Sequence, residues 1–219
     1  MNPSPAEVAA GQAVYSPTVL KSYDLLVLGI SNRWIWKCPT PRLLEFYNQQ
    51  VTGNHLDVGV GTGYFLDRCQ FPERPRIGLV DLNKNCLSAT ARRIERYQPT
   101  TWKRNILEPL ELDAEPFQSI GVNYLIHCLP GTLATKCVLF DHLLPHLEPR
   151  GIIFGSTIFG TGVPRSWLAR QLMATYNRKG IFTNLSDHPD QLRQELSQRF
   201  AESEVQIHGC VGLFWGRKR

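Results

Sequence analysis

Three glycines within five residues, at positions 59, 61 and 63, decide most of what this chain can become. They follow the apolar run His55-Leu56-Asp57-Val58 and lead into Tyr64-Phe65-Leu66-Asp67. A second apolar run, Arg76-Ile77-Gly78-Leu79-Val80, ends in Asp81. The pattern reads as a strand, a tight turn, a helix and a second strand closed by an acid. Glycine lets the backbone turn sharply and approach a ligand closely. Asp81 comes 18 residues after Gly63, where a carboxylate can accept both hydroxyls of a ribose. A chain built this way holds a nucleoside at the carboxyl edge of a parallel sheet.

The rest of the sequence continues the alternation. Strands are expected at 55–59, 76–81, 101–105, 120–127, 151–158, 204–209 and 211–217, and helices at 63–69, 84–97, 133–146, 165–179 and 188–200. Alternating β and α elements imply a mainly parallel sheet covered on both faces. The last two strands meet at Gly209-Cys210, too close for a crossover, so that pair must be antiparallel. Upstream, Pro41 fits the first turn of a helix over 42–50, with Thr40 as its N-cap. Residues 160–190 form a mixed insertion before the final hairpin, where a substrate cap can sit.

At 219 residues the chain is long enough for one α/β domain with a substantial core. It contains no run of 18 apolar residues, so no spanning helix is expected. The start, Met1 to Tyr15, has neither the basic residues nor the apolar stretch of a secretion signal. Six cysteines without a C-x-x-C pair argue against zinc and against a disulfide scaffold, and point to reduced thiols in a cytoplasmic protein. The net charge is +5, and Arg217, Lys218 and Arg219 close the chain. Arg92, Arg93 and Arg96 have the spacing of a solvated helix face. Nucleic acid is therefore not an expected partner.

The ligand can be narrowed further. Dinucleotide sites use G-x-G-x-x-G, which sets a pyrophosphate on a helix N-terminus. Here the glycines alternate, and Asp57 stands just before them. A carboxylate there would repel a pyrophosphate and attract an ammonium group. S-adenosylmethionine (SAM) carries an ammonium and a sulfonium and has no phosphate.

On these residues, positions 55–158 resemble the class I SAM-dependent methyltransferases, and the final strand pair completes that family's topology. The resemblance implies a Rossmann-like fold, a seven-stranded, mostly parallel sheet with a C-terminal antiparallel pair. It implies that Asp57, Gly59, Gly61 and Gly63 frame the methionine end, and that Asp81, with Leu82 beside it, binds the ribose. Asn105-Ile106 stands where the family places an acid and an apolar residue next to adenine; Asn can still accept from the adenine amino group. Lys21 to Lys37 is similar to the lid helices of quinone-biosynthesis C-methyltransferases. This implies a helical lid over residues 1–50 ahead of a SAM-binding domain over 51–219, with Tyr23 and Trp36 closing over the cofactor. Core packing is the competing reading of Trp36.

Methyl transfer is an in-line displacement that chiefly needs alignment and dryness. A base is required only for a protonated nucleophile. His127, at the expected end of the fourth strand, is the candidate base and a cofactor and acceptor contact; its alternative is a packed imidazole. Tyr15 and Phe159 are candidate acceptor contacts. Cys128 reads as packing. His142 and His146 have metal spacing but no third ligand, so no metal is expected. His188 opens a helix that can reach the cap. The expected activity is SAM-dependent methylation of a small molecule, a specialised metabolite or an aromatic or quinone-like acceptor. Alternatives are an RNA or protein methyltransferase, a SAM-binding cyclase, or a non-catalytic subunit. The chain is also compatible with a homodimer.

Overall fold

Strand β1 (Asn54–Val58) lies at the centre of a seven-stranded sheet of order β3-β2-β1-β4-β5-β7-β6. A computed structural model describes residues 24–72 and 74–219. The strands are β2 (Arg76–Asp81), β3 (Thr100–Lys103), β4 (Phe117–Asn123), β5 (Leu147–Ile158), β6 (Glu202–His208) and β7 (Val211–Arg217). The first five are parallel, and β7 runs antiparallel to both β5 and β6. The expected topology is thus observed.

The helices are α1 (Thr40–Gln50), α2 (Tyr64–Arg68), α3 (Lys84–Arg93), α4 (Leu133–Lys136), α5 (Val138–Leu143), α6 (Trp167–Arg178) and α7 (Pro189–Arg199). A wide π-type helix, Asp24–Ile35, precedes them.

Side chains alternate across the sheet, as the pleat requires. Ile77, Leu79, Ile152 and Phe154 face a layer containing Trp36, Phe46, Tyr47 and Met173. Leu56, Val58, Val80, Ile120 and Ile153 face the opposite layer, with Phe140, Leu192 and Phe214. Helix α1 therefore shares one core with the sheet.

Several boundaries differ from expectation. Strand β4 ends at Asn123, not 127, because the chain turns at Tyr124 (φ 54°) and enters a 3-10 turn, Ile126–Cys128. Strand β5 starts at Leu147, and Arg150 (φ 60°) is accommodated where its register to β4 shifts. The expected helix over 133–146 is divided into α4, α5 and a 3-10 turn holding Pro145, which has no amide to donate. Thr40 is the first residue of α1 and not its cap, which is Pro39. Its hydroxyl donates to the Leu28 carbonyl and accepts from Asn32 Nδ2 at 2.9 Å. That ties the N-terminal helix to α1.

Candidate cofactor and acceptor site

The glycine turn separates two adjoining cavities at the carboxyl edge of the sheet, which share Gly59, Gly61 and Tyr124 in their walls. One is bounded by Asp81, Leu82, Asn105, Ile106 and Leu129. The other is bounded by Leu28, Asp57, Thr62, Gly63 and Asn123. Most of the residues expected to hold a nucleoside and an amino-acid group are therefore brought together.

The turn is built from left-handed backbone. Gly59, Gly61 and Gly63 have φ of 73°, 53° and 73°. A Cβ on Gly59 would stand 2.9 Å from Leu125 Cδ1, and one on Gly63 would stand 2.7 Å from Thr90 Cγ2. Gly61 differs: nothing lies within 4 Å of the position its Cβ would take. The space over Gly61 is open, and Gly61 is shared by the cavity that Asp81 lines and the cavity that Asp57 lines. Thr90 Oγ1 donates to the Gly61 carbonyl at 3.2 Å, and Arg93 Nη1 donates to the Thr62 carbonyl at 3.2 Å, so α3 fixes the turn.

Asp81 closes β2. Its Oδ1 accepts from the Asn83 amide at 2.7 Å. Burial pushes its carboxyl up to about 6, against the pull of the backbone amides of Asn83, Gly61 and Val60. Asn105 folds its side chain onto its own loop: Oδ1 accepts from the Leu107 amide at 3.1 Å, and Nδ2 donates to Glu108 Oε1 at 2.8 Å. One lone pair of that carbonyl is thus already committed. Ile106 is buried, and its carbonyl accepts from His142 Nδ1 at 2.8 Å. His146 Nε2 donates to the Leu110 carbonyl at 2.8 Å. The two histidines brace the loop beside the Asp81 cavity, and no cluster suited to a metal occurs among the described residues.

The chain is 40% identical over 209 residues to a demethylluteothin O-methyltransferase of Streptomyces thioluteus, spanning 95% of this chain and 91% of the relative. The chain belongs to the SAM-dependent small-molecule methyltransferases. This methyltransferase is also 34% identical over 210 residues to a physcion biosynthesis cluster O-methyltransferase of Aspergillus chevalieri, across 95% of each chain. Among solved structures, the DhpI–SAH complex superposes with a TM-score of 0.72 at 13% identity, covering 99% and 98% of the two chains. No protein-family profile matches the chain.

SAM fits the methyltransferase's own residues. The open space over Gly61 accepts a ligand in van der Waals contact with backbone, and the two acids lie on either side of it. The apolar walls at Val58, Val80, Ile106 and Leu129 suit a purine.

Three expected contacts are placed elsewhere. His127 is 3% exposed and lines neither cavity. It packs edge-on against Phe182 at 4.5 Å, and its Nδ1 accepts from the Ile158 amide at 3.3 Å. Trp36 is 1% exposed, lies against Phe182 at 6.1 Å, and offers its carbonyl to the Cys210 amide at 2.8 Å. It anchors the final hairpin and lines neither cavity. Phe159 is fully buried, and only the missing side chain of Gly212 makes room for its ring. Tyr15 and Tyr23 lie outside the described residues.

Other residues of the site carried little signal. Tyr124 lines both cavities, and its hydroxyl donates to Asn32 Oδ1 at 2.9 Å. Leu28 walls the cavity that holds Asp57. Cys86 and Cys128 line the cavity that holds Asp81. The residues Asn123-Tyr124 directly after an apolar strand were the available clue to Tyr124. Nothing in the sequence marks Leu28.

Proposed function

We propose that the protein transfers a methyl group from SAM to a hydroxyl oxygen of a small, largely apolar metabolite. The observation that carries the choice of oxygen is the 40% identity, across nearly the whole chain, to a relative whose name specifies O-methylation. When bound, SAM supplies the electrophilic methyl and its own leaving group.

The chain's residues hold and orient. Asp81 accepts the ribose hydroxyls, Asp57 faces the ammonium, and the glycine turn keeps the sulfur end at Tyr124. The hydroxyl acceptor approaches from the side of Tyr124 and Leu28, where these two side chains, with Phe65 and Leu66, limit the access of water. His127 is not the base in this reading. It is neutral and buried, and burial together with the nearby Lys136 charge pushes its pKa down to about 3. This reading takes a small molecule and not a nucleic acid as acceptor, and the pairing of Arg93 and Arg96 with Asp67 within the basic cluster supports it.

The test has two parts. S-adenosylhomocysteine (SAH) should bind the wild type and lose about 2–4 kcal/mol of affinity in Asp81→Ala. Incubation with methyl-labelled SAM and a panel of phenols, enols, amines and carbon acids should label oxygen. Label found only on nitrogen or carbon would overturn the choice of acceptor atom.

A further inference from the structure

We propose that Tyr47, His55 and Ser119 form a positioning relay that sets the Asp57 carboxylate for the amino-acid end of the cofactor. The proposal deepens the cofactor reading above and rests on it. The four residues are joined by hydrogen bonds in series. Ser119 Oγ lies 2.8 Å from His55 Nδ1, His55 Nε2 lies 2.9 Å from Tyr47 Oη, and Tyr47 Oη donates to Asp57 Oδ2 at 2.8 Å. His55, Tyr47 and Ser119 are fully buried, and Asp57 is 6% exposed.

The donor inventory fixes the direction of the chain. An ionised Asp57 only accepts, so the single Tyr47 proton points to it. Tyr47 Oη must then accept from His55 Nε2–H. Ser119 completes the series at His55 Nδ1, and its own oxygen accepts from the Thr52 amide at 3.1 Å. The ring of His55 is thereby held from both ends. Burial and the neighbouring Asp57 charge raise the Tyr47 phenol well above its ordinary range, so it remains a donor.

The framework is rigid. Tyr47, on α1, stacks on Phe65 of α2 at 5.6 Å with an interplanar angle of 9°, and meets Phe154 of β5 edge-on at 5.1 Å. His55, Asp57, Ser119 and Gly121 lie on the same face of β1 and β4, because each is two residues from the next on its strand. Gly121 leaves the room: a Cβ there would stand 3.0 Å from Asp57 Oδ2 and 3.1 Å from His55 Cε1. A buried carboxylate held by a purely apolar pocket would swing or protonate. Here one oxygen is committed to Tyr47 from beneath. The relay is a polar network satisfied on the protein side, which is what makes such a network specify one geometry.

The test separates positioning from folding by using two ligands. SAH carries the amino-acid group; 5′-methylthioadenosine carries the nucleoside and sulfur without it. In Tyr47→Phe, SAH affinity by calorimetry should fall about tenfold, with 5′-methylthioadenosine affinity unchanged. Ser119→Ala, two links further away, should show a smaller loss of about threefold in SAH alone. Unchanged SAH affinity in a folded Tyr47→Phe protein, or equal losses for both ligands, would overturn the relay. If Tyr47→Phe does not fold, Ser119→Ala decides: an unchanged ratio of the two affinities overturns the proposal. A wild type that binds neither ligand would defeat the cofactor reading and the relay built on it. Binding of 5′-methylthioadenosine without SAH would defeat the Asp57 assignment and the relay with it, while the nucleoside part of the cofactor reading would stand.

Discussion

Lys136 Nζ lies 2.7 Å from Asp187 Oδ2, and neither side chain has any exposed surface. The same ammonium donates to the Thr183 carbonyl at the start of the segment leading into α7. The Asp187 carbonyl accepts from the Gly160 and Thr161 amides at 3.2 Å. One buried pair thus pins the end of α4 to the 183–187 segment, whose Asp187 carbonyl in turn holds the start of the 160–190 insertion. Removing one partner of such a pair leaves an uncompensated charge, which costs about 3–5 kcal/mol. Lys136→Met should lose that much stability in urea denaturation. Lys136→Met combined with Asp187→Leu should recover most of it, because the pair's own desolvation cost disappears as well. A single variant as stable as wild type would contradict the role.

Asp81 makes cofactor binding depend on pH. Its folded pKa is raised from 3.8 to about 6, chiefly by burial. The stability this shift contributes to the free protein is full below 3.8 and is lost as pH rises through about 6. Ribose binding has the opposite dependence, because it requires the carboxylate. SAH affinity should be about tenfold weaker at pH 5 than on its plateau above pH 7. In Asp81→Asn the profile should be flat and weak. A wild-type affinity constant across this range would contradict the role of Asp81.

Gly61 and Gly63 should fail differently. Gly63→Ala drives a Cβ into Thr90 at 2.7 Å on left-handed backbone, so it should destabilise the fold by about 1–2 kcal/mol from backbone strain, plus the cost of moving Thr90. Gly61→Ala also adopts a positive φ, but its methyl enters open space. It should lose SAH affinity by far more than its stability loss explains. Melting curves with and without SAH measure both effects. Equal behaviour of the two variants would contradict the assignment of the space over Gly61.

The parts of this protein governed by local rules were legible in the sequence. Backbone turns that need glycine, period-two burial and the antiparallel closing pair all follow from neighbours in the chain, and they gave correctly a seven-stranded, mostly parallel sheet with an antiparallel final pair, with Asp57 in its first strand and Asp81 closing its second. Trp36 shows where that reasoning stops. Its aromatic neighbourhood suggested a closing lid, yet its ring is buried against Phe182, about 150 residues along the chain, and its carbonyl holds Cys210. Tyr47 shows the same limit. As one aromatic on an amphipathic helix it carries no functional mark; only packing brings its hydroxyl to Asp57. His127 was misplaced for a smaller reason. The strand stops at Asn123, and the turn at Tyr124 points a different side chain at the cavities.

That turn leads to a prediction for His127. With its pKa pushed down to about 3, first by burial and then by Lys136, the imidazole stays neutral throughout the working range. Its Nδ1 accepts from the Ile158 amide at 3.3 Å, so the proton is on Nε2. A folded pKa below the usual 6.5 means that the contribution of His127 to stability is present above 6.5 and is lost as pH falls towards 3. His127→Phe orphans the Ile158 amide and should cost about 1–3 kcal/mol. It should also weaken the loss of stability on the acid side. The pH–rate profile with an acceptor that the enzyme methylates should keep its shape between pH 6 and 8, since His127 does not titrate there. If instead the variant keeps its stability and loses a limb of the rate profile near neutral pH, then His127 reaches the acceptor during turnover and acts as its base.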